Sequence, residues 1–193
     1  MLLSKHTFIL TCFLQSCLSQ SNFLFDMVDF FNSKSVVMHT AIMGSKSSLL
    51  TAVKSFNDFG LYSKIIDNSK NCSLLLENVD IHFVSYDQTS ISHVLDCFTH
   101  RKRYNKEVWV LITQSPDIQN VKNELKSAKL DLDDQIFAAL PENGKLSLQE
   151  IYKVSELEPI RSNDVGTWSS GEGLLFSSVP KWYRRGNLQV SES

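Results

Sequence analysis

The chain has 193 residues, 42% of them hydrophobic, and a formal net charge of −2. That length and composition suit one domain with a real core, and twelve Phe against seven Gly argue against a low-complexity or disordered chain. The balanced charge gives no electrostatic footprint for nucleic acid, which would need a clustered basic face.

The first 19 residues read as a secretory signal. Lys5 and His6 precede the apolar run Thr7-Phe8-Ile9-Leu10-Thr11-Cys12-Phe13-Leu14, and the small residues Cys17 and Ser19 follow at cleavage-site spacing. A buried N-terminal helix is the alternative. The run falls short of the about 20 apolar residues that span a bilayer, and no later segment reaches that length, so no membrane segment is expected. Removing the signal would take Cys12 and Cys17 with it. Cys72 and Cys97 remain, as a pair that an oxidising compartment can bridge or as two separate buried thiols. Asn71-Cys72-Ser73 is the single N-x-[ST] sequon, which makes Asn71 the candidate glycosylation site.

Residues 22–32 carry Leu24, Met27, Val28 and Phe31 at helical spacing, with Asp26 and Asp29 between them. Residues 35–43 predict a buried strand. A second helix follows, lined by Leu49, Leu50, Val53 and Phe56, started at Ser45 and stopped by Gly60. Strands are predicted over 62–66 and 79–85, and a helix over 90–100. Val108-Trp109-Val110-Leu111-Ile112-Thr113 is the clearest strand, a continuous apolar run of the kind covered on both sides. Ser115-Pro116 reads as a helix start, with Ser115 as cap, and Ile118, Val121 and Leu125 continue that helix. Residues 135–140 predict the last interior strand. Asn143-Gly144 is a strong hairpin signal, and 146–154 is the returning strand.

Helices and strands therefore alternate up to Leu140, and a hairpin closes the series. This order predicts an α/β fold, a three-layer, mostly parallel sheet with helices on both faces. The α/β domain is placed at residues 20–155. From Glu156 the periodicity fades, and residues 156–193 read as a linker.

Enzyme signatures are missing. Gly44-Ser45-Lys46-Ser47-Ser48 is neither a dinucleotide-binding nor a P-loop motif and reads as a turn and cap. Gly171-Glu172-Gly173 is too short for a phosphate cradle. The five His show no metal spacing, Cys72 and Cys97 form no C-x-x-C pair, and His39 and His82 read as strand residues. Asp131, Asp133 and Asp134 lack the Gly and closing Glu of a calcium loop. No G-x-S-x-G elbow is present. The expectation is a non-enzyme with no cofactor and no metal.

Three short motifs remain near the end: Glu150-Ile151-Tyr152-Lys153-Val154, Gly166-Thr167-Trp168, and Tyr183-Arg184-Arg185-Gly186-Asn187-Leu188. In order and rough spacing they resemble the amino-terminal domain of arthropod ionotropic receptors, variant relatives of ionotropic glutamate receptors, most closely the 75a type. The motif residues are Glu150, Tyr152, Gly166, Trp168, Arg184, Arg185, Asn187 and Leu188. The resemblance implies a periplasmic-binding-protein-like lobe outside the membrane, other receptor subunits (a co-receptor among them) as partners, and a role in assembly, trafficking or ligand recognition. It also implies that Gly166 to Leu188 tether a ligand-binding domain, which would make this chain a truncated form or fragment of a chemosensory channel. A free-standing secreted α/β protein holding a small ligand is the alternative.

Overall fold

The computed structural model describes residues 22–31, 35–39, 54, 56–58, 60–66, 81–86, 108–128, 130, 134–154 and 157–177. Helix α1 covers residues 22–30. Then come β1 (Ser35–His39), the helical residues 54 and 56–58, β2 (Tyr62–Ile66), β3 (Ile81–Tyr86), β4 (Val108–Thr113) and helix α2 (Ile118–Leu125). Strands β5 (Gln135–Glu142), β6 (Lys145–Tyr152), β7 (Arg161–Ser169) and β8 (Gly173–Phe176) complete the series.

The eight strands among the described residues join one sheet in the order β2-β1-β3-β4-β5-β6-β7-β8. Its two halves differ. The four pairings from β2 to β5 are parallel, and the three from β5 to β8 are antiparallel. The fold is mixed α/β as expected, but the sheet is parallel only in its first half. The hairpin does not close it, because β7 and β8 extend it further.

Strands β3 to β6 are covered on both sides. On one face Ile81, Phe83, Val108, Val110, Phe137, Ala139 and Leu148 pack against Phe23, Leu24, Met27 and Val28 of α1 and against Phe56. On the other, Val84, Trp109, Leu111, Ile136, Ala138, Leu140 and Ile151 meet Val121 and Leu125 of α2, with Ala128 and Leu130. The alternation along β4 assigns its residues to the two faces in turn, and this is why the strand reads as one apolar run. A nine-residue helix is marginal in water on its own. The four buried α1 side chains, at about 1.5–3 kcal/mol each, supply what its hydrogen bonds cannot.

Several ends follow from local chemistry. Gly60 has φ 76° and terminates the preceding helical residues. Its N–H donates to the Asn57 carbonyl at 2.9 Å, and the Leu61 N–H donates to that of Phe56 at 3.0 Å, the paired bonds of a Schellman cap. Leu61 and Phe56 share one apolar cluster, which completes the motif. The Asn143-Gly144 turn has φ 49° and 78°, the two left-handed positions that a type I′ hairpin needs. Glu142 and Lys145 flank it as partners. A two-residue turn makes them the hydrogen-bonded pair, so Pro141 turns its nitrogen away from β6 and toward a β4 ladder that ended at Ala139.

Two expectations need correction. The α2 cap is Asp117, not Ser115: its extended backbone lets Oδ1 accept the Gln119 N–H at 2.9 Å. The Ser115 hydroxyl oxygen is used otherwise, accepting from the Asp117 N–H at 3.2 Å and from Asn120 Nδ2 at 3.3 Å. The stretch from 156 is also no plain linker, since Arg161–Ser169 and Gly173–Phe176 are strands of the sheet. The expected helix over 90–100, the proposed signal at 1–19 and residues 178–193 lie outside the described residues.

Candidate functional site

Four of the eight motif residues lie in the antiparallel half. Glu150 sits in the middle of β6 between Phe137 of β5 and Asn163 of β7. It alternates with Leu148 and so faces the α1 side of the sheet. It is fully buried there, and it is not without an interaction partner. Burial without a partner would be costly for a carboxylate. Tyr152 ends β6, almost fully buried, opposite Arg161.

Gly166 and Trp168 are placed by a β-bulge. Leu148 pairs with Gly166 but the next residue, Gln149, pairs with Asp164, which leaves Val165 as the extra residue in β7. The bulge shifts the alternation, so that Val165 and Trp168, three positions apart, both enter the α1-side core. The Asp164 carboxylate accepts the Gly166 N–H at 3.2 Å and braces the bend. Gly166 is needed for space. A Cβ there would lie 2.2 Å from the Leu175 carbonyl oxygen and 2.9 Å from the Phe176 Cα, so any larger residue would push β8 away.

Trp168 then joins the two ends of the described chain. Its indole Nε1–H donates to Asp26 Oδ2 at 2.6 Å, across 142 positions of sequence. Its ring meets Phe23 edge-on at 5.4 Å. Along the same seam Phe30 stacks on Phe176 at 4.1 Å, Phe31 lies 5.4 Å from Phe137, and Phe25 lies 4.4 Å from Phe56. These pairs tie α1 to β8 and to the helical residues before β2, and the turn residue Phe31 that follows α1 to β5. At the turn end, Lys145 Nζ reaches Glu172 Oε2 at 2.6 Å, and the Ser169 hydroxyl donates to the same oxygen at 3.2 Å. The Lys145 ammonium, by hydrogen bond and by charge, lowers the Glu172 carboxyl below its ordinary range, and the Ser169 hydroxyl adds to this.

The four described motif residues are parts of the framework: Glu150, Tyr152 and Gly166 lie in paired strands and Trp168 locks α1. Among the described residues no group of three or more His, Cys, Asp and Glu could hold a metal ion. None of the described helices is long and apolar enough to cross a membrane. His82 is interior and stacks flat on its β4 partner Trp109, 4.1 Å and 5° apart. Asn71, Cys72, Cys97, Arg184, Arg185, Asn187 and Leu188 lie outside the described residues. Asp26 went unnoticed in the sequence, where it reads as a polar spacer. The available signal is chemical, because a buried Trp needs an acceptor for its N–H.

Comparison with known proteins gives one family. The family model described as the ionotropic receptor 75a N-terminal domain matches residues 21–191, a span that takes in α1, every strand and all three motifs. No curated protein and no solved structure matches the chain. With a match over nearly its whole length, the chain belongs to the ionotropic receptor 75a N-terminal family.

Proposed function

We propose that the chain is the extracellular, non-catalytic N-terminal domain of a chemosensory ionotropic receptor, and that it acts in subunit assembly and trafficking. The observation that carries this reading is the family match over residues 21–191. The strand order and the helical segments on both faces support a periplasmic-binding-protein-like lobe. In this reading residues 1–19 direct secretion, Asn71 is a glycan acceptor, and Cys72 and Cys97 face an oxidising compartment. The run Arg184-Arg185-Gly186-Asn187-Leu188 leads toward a ligand-binding domain of the receptor. The partners are other receptor subunits, a co-receptor among them.

The experiment is co-expression of the full chain with tagged ionotropic receptor subunits in insect cells. Expected results are co-purification with a subset of subunits and a change in their surface delivery. Secretion of the chain as a lone monomer, with every subunit unaffected, would overturn the assembly role. A free-standing secreted small-ligand-binding protein is the second reading. The reversal of strand order within the parallel half favours it.

A further inference from the structure

Strand β8 is the last strand of the sheet among the described residues, so one side of it borders no other described strand. The directions of its backbone groups follow from two contacts. The Ser177 N–H donates to the Val165 carbonyl at 2.8 Å, and the Leu175 carbonyl oxygen lies against Gly166 of β7. Directions alternate along a strand, so the N–H and C=O groups of Leu174 and Phe176 point away from β7, to the open side. The side chains alternate as well. Leu174 and Phe176 pack on the α1-side core, with Phe30 stacked on Phe176. Leu175 stands on the opposite face, 50% exposed, and Phe30 is itself 37% exposed. Proteins commonly blunt an edge strand with Lys or Pro. Residues 173–177, Gly-Leu-Leu-Phe-Ser, carry no charge and no Pro.

We propose that β8 is a self-association edge whose occupant is β8 of a second copy of this chain, paired antiparallel about a twofold axis at Leu175. Leu174 and Phe176 lie on either side of Leu175, so the axis sets Leu174 of each copy against Phe176 of the other. Both residues point their backbone groups outward, and each such pair exchanges both of its N–H···O bonds. Leu175 then meets its own copy at the closely spaced, non-hydrogen-bonded position, about 4.5 Å apart between Cα atoms, where the half-exposed side chains cover each other. On the α1 face the Phe30–Phe176 stack comes beside Leu174 of the second copy. The contact is isologous, as a twofold requires, and it continues the antiparallel run from β5 to β8. A second copy is favoured over another extended peptide because the strand matches itself: no like charges are opposed, and Leu175 meets an equal apolar partner. The inference goes beyond the assembly reading by naming the chain itself as a partner, and it rests on β8 alone, not on the family match.

The test is sedimentation equilibrium of the purified full chain with no receptor subunit present, so that its failure leaves the co-expression result untouched. The expected result is a reversible monomer–dimer equilibrium below millimolar concentration, weak because a four-residue edge buries little area. Leu175→Lys changes a half-exposed position and opposes two ammonium groups at the axis. It is expected to weaken dimerisation roughly tenfold or more, with the circular dichroism unchanged. Leu175→Cys is expected to give a covalent dimer on oxidation, beyond any that the unaltered chain forms, because the paired positions lie within disulfide reach. Leu174→Cys, on the other face and opposite Phe176, is expected to give none. A monomer at millimolar concentration would overturn the proposal. So would a dimer left unchanged by a folded Leu175→Lys variant, or cross-linking by Leu175→Cys no greater than that of the unaltered chain.

Discussion

Replacing Trp168 by Phe removes the indole N–H that α1 holds through Asp26 while keeping an aromatic ring in the core. The lost bond is short, 2.6 Å, and it runs to a carboxylate from a side chain only 5% exposed. Bonds of that type contribute about 1.5–3 kcal/mol. Asp26→Ala removes the acceptor from the same bond, so the two changes should not add. A double-mutant cycle is expected to give a coupling of about 1–2 kcal/mol, well outside the roughly 0.3–0.5 kcal/mol within which independent sites add. The assay is urea unfolding followed by far-ultraviolet circular dichroism, which does not depend on the tryptophan removed. With a denaturant slope of about 2 kcal/mol/M, each single change should lower the midpoint by roughly 0.75–1.5 M. Additive single changes would refute the argument that Asp26 and Trp168 form a latch, and would leave Trp168 as an ordinary core ring.

Gly166→Ala forces a methyl group onto the β8 backbone; a loss of at least about 1–3 kcal/mol is expected, and amide hydrogen exchange should quicken first in β8. Gly144→Ala keeps ample space but places a Cβ at φ 78°; about 1–2 kcal/mol should be lost, with β5–β6 still paired in hydrogen exchange. The Glu172 carboxyl titrates below the ordinary glutamate value because of Lys145. Its small contribution is therefore present above the ordinary value and is lost as pH falls through the lowered one. Carbon-detected titration should show that lowered value, and Lys145→Ala should move it back up. Asp117→Ala removes the cap on α2 and should cost about 1 kcal/mol by thermal unfolding.

How much was legible can be judged from particular elements. The α1 stripe, the β4 run, the Gly60 stop and the Asn143-Gly144 turn all depend on residues within a few positions of one another. Periodicity and turn chemistry are local, so the sequence is enough to place them. Gly166-Thr167-Trp168 was legible as a family mark but not as a structural part, because what fixes it lies elsewhere: the β8 backbone over Gly166, and Asp26 across 142 positions. Strand β7 was hidden for a related reason. Arg161-Ser162-Asn163-Asp164 is polar, and the bulge at Val165 breaks the period of two by which a strand is recognised.

The sequence by itself determined the family, the α/β character and most strand positions, because patterning and motifs reside in neighbouring residues. Tertiary structure alone decided the order of the strands, the reversal between β1 and β3, the change from parallel to antiparallel pairing at β5, and the latch between α1 and β7. Each of these is a choice of partner between distant segments. It is settled by which faces can be buried together in one core, and a local pattern shows only that a face needs burying.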